Sequence, residues 1–389
     1  MTDIERQLRT FLQDVAKKQR YNTSEIKIKP INSGGANFTS DLYVATIQDS
    51  IKPDLHLFAK AACLNEDTRT KNNFLDRIYA TEEVFYTDLA VHFNRIYNER
   101  AVPTEDRLLV PKFYGLKSIP YEEILVLENL EGNGFTSFDR RKIFDWEYAA
   151  AAVSQMAKFH AVSLALRDQR PKEFELIINN FGYHDSSKGQ DKIIMYMQQA
   201  LRDVYKVLND DYKTRLVDFF RSVNMGTLMQ RLTADKRFLI HGDFKTPNLM
   251  HRRNNNKLEV ILLDYQTLKL GNPVMDLMYF IFSGSDEEFR RRHYQQLLDH
   301  YFIELTMALE KLHIDVEKVY PRKKFDMNLE EMKPLGLLLS LLLVGIVTAE
   351  PEDAPKFGGD LSQMQVKLNQ LAQERFSGIV ADFIRWGVL

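Results

Sequence analysis

The most constraining feature of the chain is one stretch, FLIHGDFKTPNLM at 238–250, followed by VILLDYQ at 260–266. The apolar runs that open the two pieces have the length and branching of buried strands. The first enters His241-Gly242-Asp243, and Asn248 stands five residues beyond Asp243. Asp264 closes the second. This layout meets the needs of phosphoryl transfer. One carboxylate must accept or orient the proton of an attacking hydroxyl, and a carboxylate with an amide oxygen must hold magnesium on the phosphates. Asp243 suits the first role, and Asn248 and Asp264 suit the second. A lone Asp in a loop is ordinarily a turn or cap residue. It is the order strand, HGD-x4-N, strand, Asp that carries the chemical reading. His241 reads as a brace for the loop backbone.

Protein kinases use the same D-x4-N spacing, with a metal-binding Asp after the next strand. The N-terminal third agrees with that layout. An alternating run at 25–30 reads as a strand, and Asn32-Ser33-Gly34-Gly35-Ala36-Asn37 as a turn of small residues. Runs at 42–47 and 55–60 read as two more strands, the last ending in Lys60. A lysine there can reach the α- and β-phosphates, and it needs an acid to hold it. The helical pattern at 74–97 offers Glu82, on the side of Ile78, Phe85 and Leu89, with Glu83 as competitor. Backbone N–H groups of Gly34, Gly35 and Asn37 can wrap phosphates, although the turn is neither G-x-G-x-x-G nor a Walker A sequence. Runs at 108–116 and 124–127 read as strands. The second leads into a hinge at Glu128-Asn129-Leu130, where adenine would meet backbone rather than side chains.

After Leu130 the pattern is helical almost to the end, with an Ala-rich helix expected at 146–166. The expected fold is α+β and bilobal, like the protein kinases. A small antiparallel-sheet N-lobe spans 1–128 and a larger, mostly helical C-lobe spans 129–389. With 389 residues, 44% hydrophobic and 11% aromatic, the chain has ample core for two lobes. A net charge of -2 gives no basic excess, which argues against a nucleic-acid partner. Histidines are scattered without zinc-site spacing. The apolar run at 335–349, bracketed by Pro334 and Pro351, is short for a membrane span and reads as a core helix. Arg290-Arg291-Arg292 reads as a solvated helix face. One cysteine, Cys63, excludes an internal disulfide. The charged N-terminal stretch lacks the apolar core of a secretory signal, so a cytoplasmic protein is expected. Oligomeric state is not legible.

Taken together, the sequence resembles the ecdysteroid kinase-like family of small-molecule kinases. The matching pieces are GGANFTSDLY at 34–43, LFAK at 57–60, EEVFY at 82–86, LVLENL at 125–130 with Gly134-Phe135 after it, and MAKFHAVSLAL at 156–166. HGDFKTPNLM, LLDYQ and Pro273-Val274-Met275-Asp276-Leu277 complete the set. The D-Y-Q triplet in place of D-F-G is the most specific. The resemblance implies ATP and Mg²⁺ as cofactors and phosphorylation of a steroid or similar apolar alcohol. It implies Lys60 and Glu82 as the phosphate-anchoring pair, Asp243 as the base, Asn248 and Asp264 on Mg²⁺, and Ser40 following the phosphate loop. The chain departs from the family at Gly34-Gly35-Ala36-Asn37, at Asn129 and at Lys245-Thr246-Pro247.

No A-P-E sequence follows Asp264, so a peptide-docking platform is missing and a small molecule is the expected acceptor. Asp276 reads as a brace for the catalytic loop. Helices within 174–232 and at 335–348 offer apolar walls for the acceptor, although most of these residues read as core. A choline- or aminoglycoside-type kinase is the rival enzyme. A ligand-binding pseudokinase, favoured by the altered phosphate loop, is the rival of another class.

Overall fold

The structure, a computed structural model, describes residues 2–31, 40–63, 66, 69, 75–181, 190–234, 237–353 and 366–389. Gly34, Gly35 and Asn37 lie outside the described residues.

The N-terminal lobe is built on five strands: β1 (Thr23–Ile31), β2 (Ser40–Asp49), β3 (Leu55–Ala62), β4 (Phe113–Lys117) and β5 (Ile124–Glu128). Their order is β1-β2-β3-β5-β4, and every adjacent pair is antiparallel. The helix Asp3–Lys18 opens on a capping box, in which Thr2 and Glu5 satisfy each other's backbone N–H. It lays Leu8, Leu12, Val15 and Ala16 on the sheet beside Ile47, Leu57, Ala59 and Val126. The strand expected at 108–116 forms only from Phe113 onward. Before it, amide hydrogens bond to side chains instead of a ladder: Leu108 N to Tyr97 Oη (3.3 Å), Leu109 N to Gln155 Oε1 (3.1 Å) and Lys112 N to Glu128 Oε1 (2.7 Å). Pro111 has no N–H to give.

The helical pattern expected at 74–97 is interrupted by a π-helical turn. Helix Leu75–Val84 passes into the turn Phe85–Leu89 and then helix Ala90–Glu99. The extra residue re-phases the helix, and Phe85, Leu89, Phe93 and Ile96 join the core of the second lobe.

The C-terminal lobe is wound round the helix Trp146–Gln169, capped by Asp145 and buried on nearly every face. Its alanines permit close packing against helix Glu287–Lys311 and strand β9 (Lys257–Leu262). Strands β6 (Thr136–Ser137) and β8 (Leu249–Asn254) pair with β9 as β6-β8-β9, while β7 (Phe238–Ile240) pairs with β10 (Lys269–Gly271).

Two expectations need correction here. The apolar helix begins at Arg322, not after Pro334, and runs Arg322–Thr348 with Pro334 inside it. Phe325, Leu329, Met332 and Leu335 form one buried stripe across the proline. That packing outweighs the single backbone bond to Glu330 that the proline forgoes. By length and composition this helix could cross a membrane, but most of its apolar stretch is buried in the protein, against helix Val274–Gly284. Its last carbonyls, Ile346, Val347 and Ala349, are capped by the Arg140 guanidinium at 3.0, 2.5 and 2.6 Å. The second correction is Arg290, which is buried and paired with Asp382 of the C-terminal helix Gln370–Arg385, while Arg291 and Arg292 are exposed. Successive helix residues turn by about 100°, so three arginines in a row cannot share one solvated face.

Candidate active site

Lys60 lies on β3, the central strand, with Leu42 and Leu125 as its cross-strand neighbours. Its Nζ donates to Glu82 Oε1 and Oε2 at 2.8 and 3.1 Å and to Asp264 Oδ1 at 2.5 Å. The three side chains are only 15%, 9% and 20% exposed. Burial works against the ammonium, but the Asp264 and Glu82 carboxylates outweigh it, and Lys60 titrates above the ordinary lysine range. Burial raises Glu82 in turn; Lys60 opposes that rise and Asp264 adds to it. Glu83 points elsewhere and accepts from Ser118 Oγ at 2.7 Å.

Asp264 sits in left-handed backbone, φ 66°, an uncommon state for a residue with a side chain. Its neighbours hold it there. Gln266 Nε2 donates to Asp264 Oδ2 at 3.0 Å. Tyr265 is buried, stacked on Phe85 with ring centroids 3.4 Å apart and 10° between planes, and edge-on to Tyr86. The D-Y-Q triplet therefore ties the Asp264 loop to the π-helical turn that follows Glu82.

The segment after β7 is fixed from below by Asp276, on helix Val274–Gly284. Its two oxygens accept from the N–H groups of His241 (2.7 Å) and Gly242 (2.8 Å), and His160 Nε2 donates to it at 3.1 Å. Gly242 has φ 80°, and a Cβ there would lie 2.6 Å from the Thr267 carbonyl, so no other residue fits. His241 Nε2 donates to the Leu263 carbonyl at 2.9 Å, joining the segments that carry Asp243 and Asp264. Burial alone would raise the Asp276 carboxyl. The His160 hydrogen bond and charge, His241 and the Gly242 N–H hold it below the ordinary value. A depressed carboxyl stabilises above the ordinary aspartate range, and that contribution is lost as pH falls through the folded value. Asp276→Asn is expected to cost about 3 kcal/mol in urea unfolding at pH 7. The gap to wild type should narrow below about pH 4. A gap unchanged in acid would mean that the charge contributes nothing.

Asp243 and Asn248 face each other. Asn248 Nδ2 donates to Asp243 Oδ2 at 2.8 Å and to its carbonyl at 2.9 Å, and Asn248 lines the cleft. Lys245 Nζ stands 2.9 Å from Asp243 Oδ1. Sequence reasoning saw Lys245 only as a departure from a pattern, yet it is an ion partner of Asp243.

Between the lobes a cavity of about 330 Å³ is lined by Ile31, Val44, Phe58, Leu127, Met250 and Leu263, with Lys60, Asn248 and Asp264 at its polar end. At the hinge, the amides of Glu128 and Asn129 are committed to the carbonyls of Lys112 (2.9 Å) and His56 (3.1 Å). The Leu130 N–H has no backbone acceptor among the described residues and is free to meet a purine edge. Apolar walls, one hinge donor and a lysine at the far end fit a nucleoside triphosphate. No cluster of three or more His, Cys, Asp or Glu forms among the described residues. Magnesium needs none, since it keeps waters and binds one or two carboxylates plus phosphate oxygens. Asp264 with Asn248 fits that donor set. Ser40 opens β2 beside Lys60 and Tyr79, at the edge of this machinery. The seam between helices Gln190–Val207 and Arg322–Thr348, offered by the sequence as acceptor wall, encloses only about 20 Å³ and is packed core.

The sequence model of the ecdysteroid kinase-like family matches residues 34–314, nearly three-quarters of the chain. The chain belongs to the ecdysteroid kinase-like family. This member is accordingly a small-molecule kinase, a phosphotransferase with an alcohol as acceptor, and family membership implies ATP as donor. Among solved structures, one titled "Structure of the microcompartment-associated aminopropanol kinase" aligns over 97% of this chain and 98% of that one, with 10% identity and a TM-score of 0.45. No curated protein matches the chain.

Proposed function

We propose that this kinase uses Mg²⁺ and ATP to phosphorylate a hydroxyl of a small lipophilic molecule, an ecdysteroid or a similar steroid or xenobiotic alcohol, in the cytoplasm. The observation that carries the reading is Lys60 held between Glu82 and Asp264, with Asp243 and Asn248 hydrogen-bonded to each other on the catalytic loop. In this reading residues 1–128 hold the nucleotide and residues 129–389 supply the catalytic loop and the acceptor. Gly34, Gly35 and Asn37 belong to the phosphate loop, Ser40 follows it, and Glu128 and Leu130 meet the adenine. Asn248 and Asp264 would hold the metal, which when bound offsets phosphate charge. Lys60 supplies a fixed positive charge at the phosphates. Asp243 orients the acceptor hydroxyl and takes its proton as the oxygen bonds to the γ-phosphorus and the bond from that phosphorus to ADP breaks. Asp276 keeps the loop amides of His241 and Gly242 in place, so that the base is positioned before the acceptor arrives.

The test is incubation with Mg-ATP and a pooled panel of ecdysteroids, plant steroids, phenolic glycosides and choline, with products read by mass. A gain of one phosphate on a steroid or phenolic member, absent in Asp264→Ala, is expected. Phosphate on choline alone would overturn the acceptor class, and Mg-ATP binding without product from any member would overturn the enzyme reading.

A further inference from the structure

A second cavity, of about 580 Å³, lies between helices Trp146–Gln169 and Glu287–Lys311 and the β8–β9 hairpin. It is larger than the cleft between the lobes, about 330 Å³, and shares no lining residue with it. The alternation of β9 keeps the two apart. Leu258 and Val260 line this cavity, and Leu263, just past the strand, lines the cleft. The space exists because the helices meet there through small side chains, Ala150, Ala151 and Ser154 on one and Ala308 on the other. His300, Glu304, Ala308 and Lys311 share one face, so the cavity follows that helix for about 16 Å. Met307, 45% exposed, stands at its rim.

The wall is not only apolar. Lys158 Nζ donates to the carbonyls of Glu105 and Arg107 at 3.0 and 3.4 Å, and Lys311 pairs with Asp106 at 2.6 Å. An ammonium has three protons to give, and Lys158 makes no ion pair with a carboxylate of the described residues. Burial lowers its titration and the Lys257 and Lys311 charges add to that, against Asp106 and Glu304. Gln155, only 8% exposed, spends its Oε1 on the Leu109 N–H at 3.1 Å, and its Nε2 has no acceptor among the described residues. A half-buried ammonium ordinarily has a counter-ion, and a buried amide ordinarily has its acceptor.

We propose that this cavity is a second ligand site, which takes an amphiphilic anion. A carboxylate or phosphate head lies among Lys158, Lys257 and Gln155, and an apolar body lies along Ala150, Ala151 and Met307. The acids of the wall bear on the sign of that ligand. Asp106 is neutralised by Lys311, and Glu259 by Arg252 at 2.7 Å with Asn254 at 3.1 Å. Glu105 is exposed, where water and salt screen it. Glu304 remains as the carboxylate that opposes an anionic head. The site is independent of the acceptor reading above.

The experiment titrates the full chain calorimetrically with decanoate, decyl phosphate and decyltrimethylammonium, with Mg²⁺ and a non-hydrolysable ATP analogue present to fill the cleft. One equivalent of each anion is expected to bind, and the cation is not. The tighter of the two anions tells a free carboxylate amphiphile from a phosphate ester of the kind a kinase makes. Lys158→Met should weaken the anion about ten- to hundredfold. Lys257→Gln should weaken it about two- to fivefold, and Glu304→Gln should tighten it by a similar factor. The side chains of Lys257 and Glu304 hydrogen-bond no described residue, so these two variants decide should Lys158→Met fail to melt as a folded protein. Anion binding indifferent to both lysines places it elsewhere and overturns the site. Equal binding of the cation, weaker anion binding in Glu304→Gln, or no heat from either anion overturns it as well.

Discussion

Replacing Asp243 by asparagine is expected to lower turnover about 10²- to 10⁴-fold, the usual worth of a positioned general base, with ATP affinity near wild type. The two carboxylate oxygens of Asp243 are already spoken for, Oδ2 by Asn248 Nδ2 and Oδ1 by the Lys245 ammonium. An amide in its place must turn its NH2 toward one of those donors. The exchange therefore removes the proton acceptor and sets donor against donor at the reacting centre. It does not dismantle the loop, because His241 and Gly242 are held by Asp276 and Thr267 Oγ1 donates to the His241 carbonyl at 2.8 Å. Single-turnover kinetics with saturating Mg-ATP should show the loss in the chemical step. Wild-type turnover in Asp243→Asn would remove Asp243 from the base role. A matching loss of ATP affinity would mean instead that the loop had collapsed into the nucleotide cleft.

The parts of this site that were legible in the sequence are those whose chemistry sits at fixed separations along one strand or loop. The five-residue step from Asp243 to Asn248 survives folding because it spans a single tight turn, Thr246–Asn248. Lys60 could be placed because it follows directly on the apolar run Leu57-Phe58-Ala59, although its strand continues to Ala62. The choice between Glu82 and Glu83 depended on helix phase, and a π-helical turn directly downstream alters that phase. No pattern of apolar residues announces such a turn. Contacts made by residues far apart in the chain were invisible for another reason. Thr267 returns to the His241 carbonyl from 26 residues along the chain, and nothing local marks that return. Arg290 illustrates the same limit in the core, since its partner Asp382 lies 92 residues away. Pro334 was read as a boundary by its local rule, and tertiary packing overrode the rule.

Lys60→Met is expected to fail in two separable ways, in catalysis and in stability. Removing the ammonium leaves Glu82 and Asp264, 9% and 20% exposed, as two carboxylates without the cation they share. Breaking a buried ion pair from one side costs about 3–5 kcal/mol, and the partial exposure here puts the loss at pH 7 near the lower figure. The sign of its pH dependence follows from the groups that remain. In the wild type, burial already raises Glu82, Lys60 opposes the rise and Asp264 reinforces it. Without Lys60 the rise is larger. A raised carboxyl is costly where it is charged, and the cost fades as pH falls through the folded value and the proton is taken up. The wild-type Lys60 contribution is level over the same range, because a raised lysine stabilises fully below its ordinary 10.5 and loses that only in strong alkali. Urea unfolding should therefore show the gap between variant and wild type narrowing from pH 8 to pH 5. A constant gap would mean that the carboxylates do not share the lysine. The double change Lys60→Met with Glu82→Gln removes the second buried charge and should recover most of the lost stability. It should recover no turnover, because the charge that the proposed mechanism sets against the phosphates is still gone. Recovery of turnover along with stability would show Lys60 to be part of the scaffold alone.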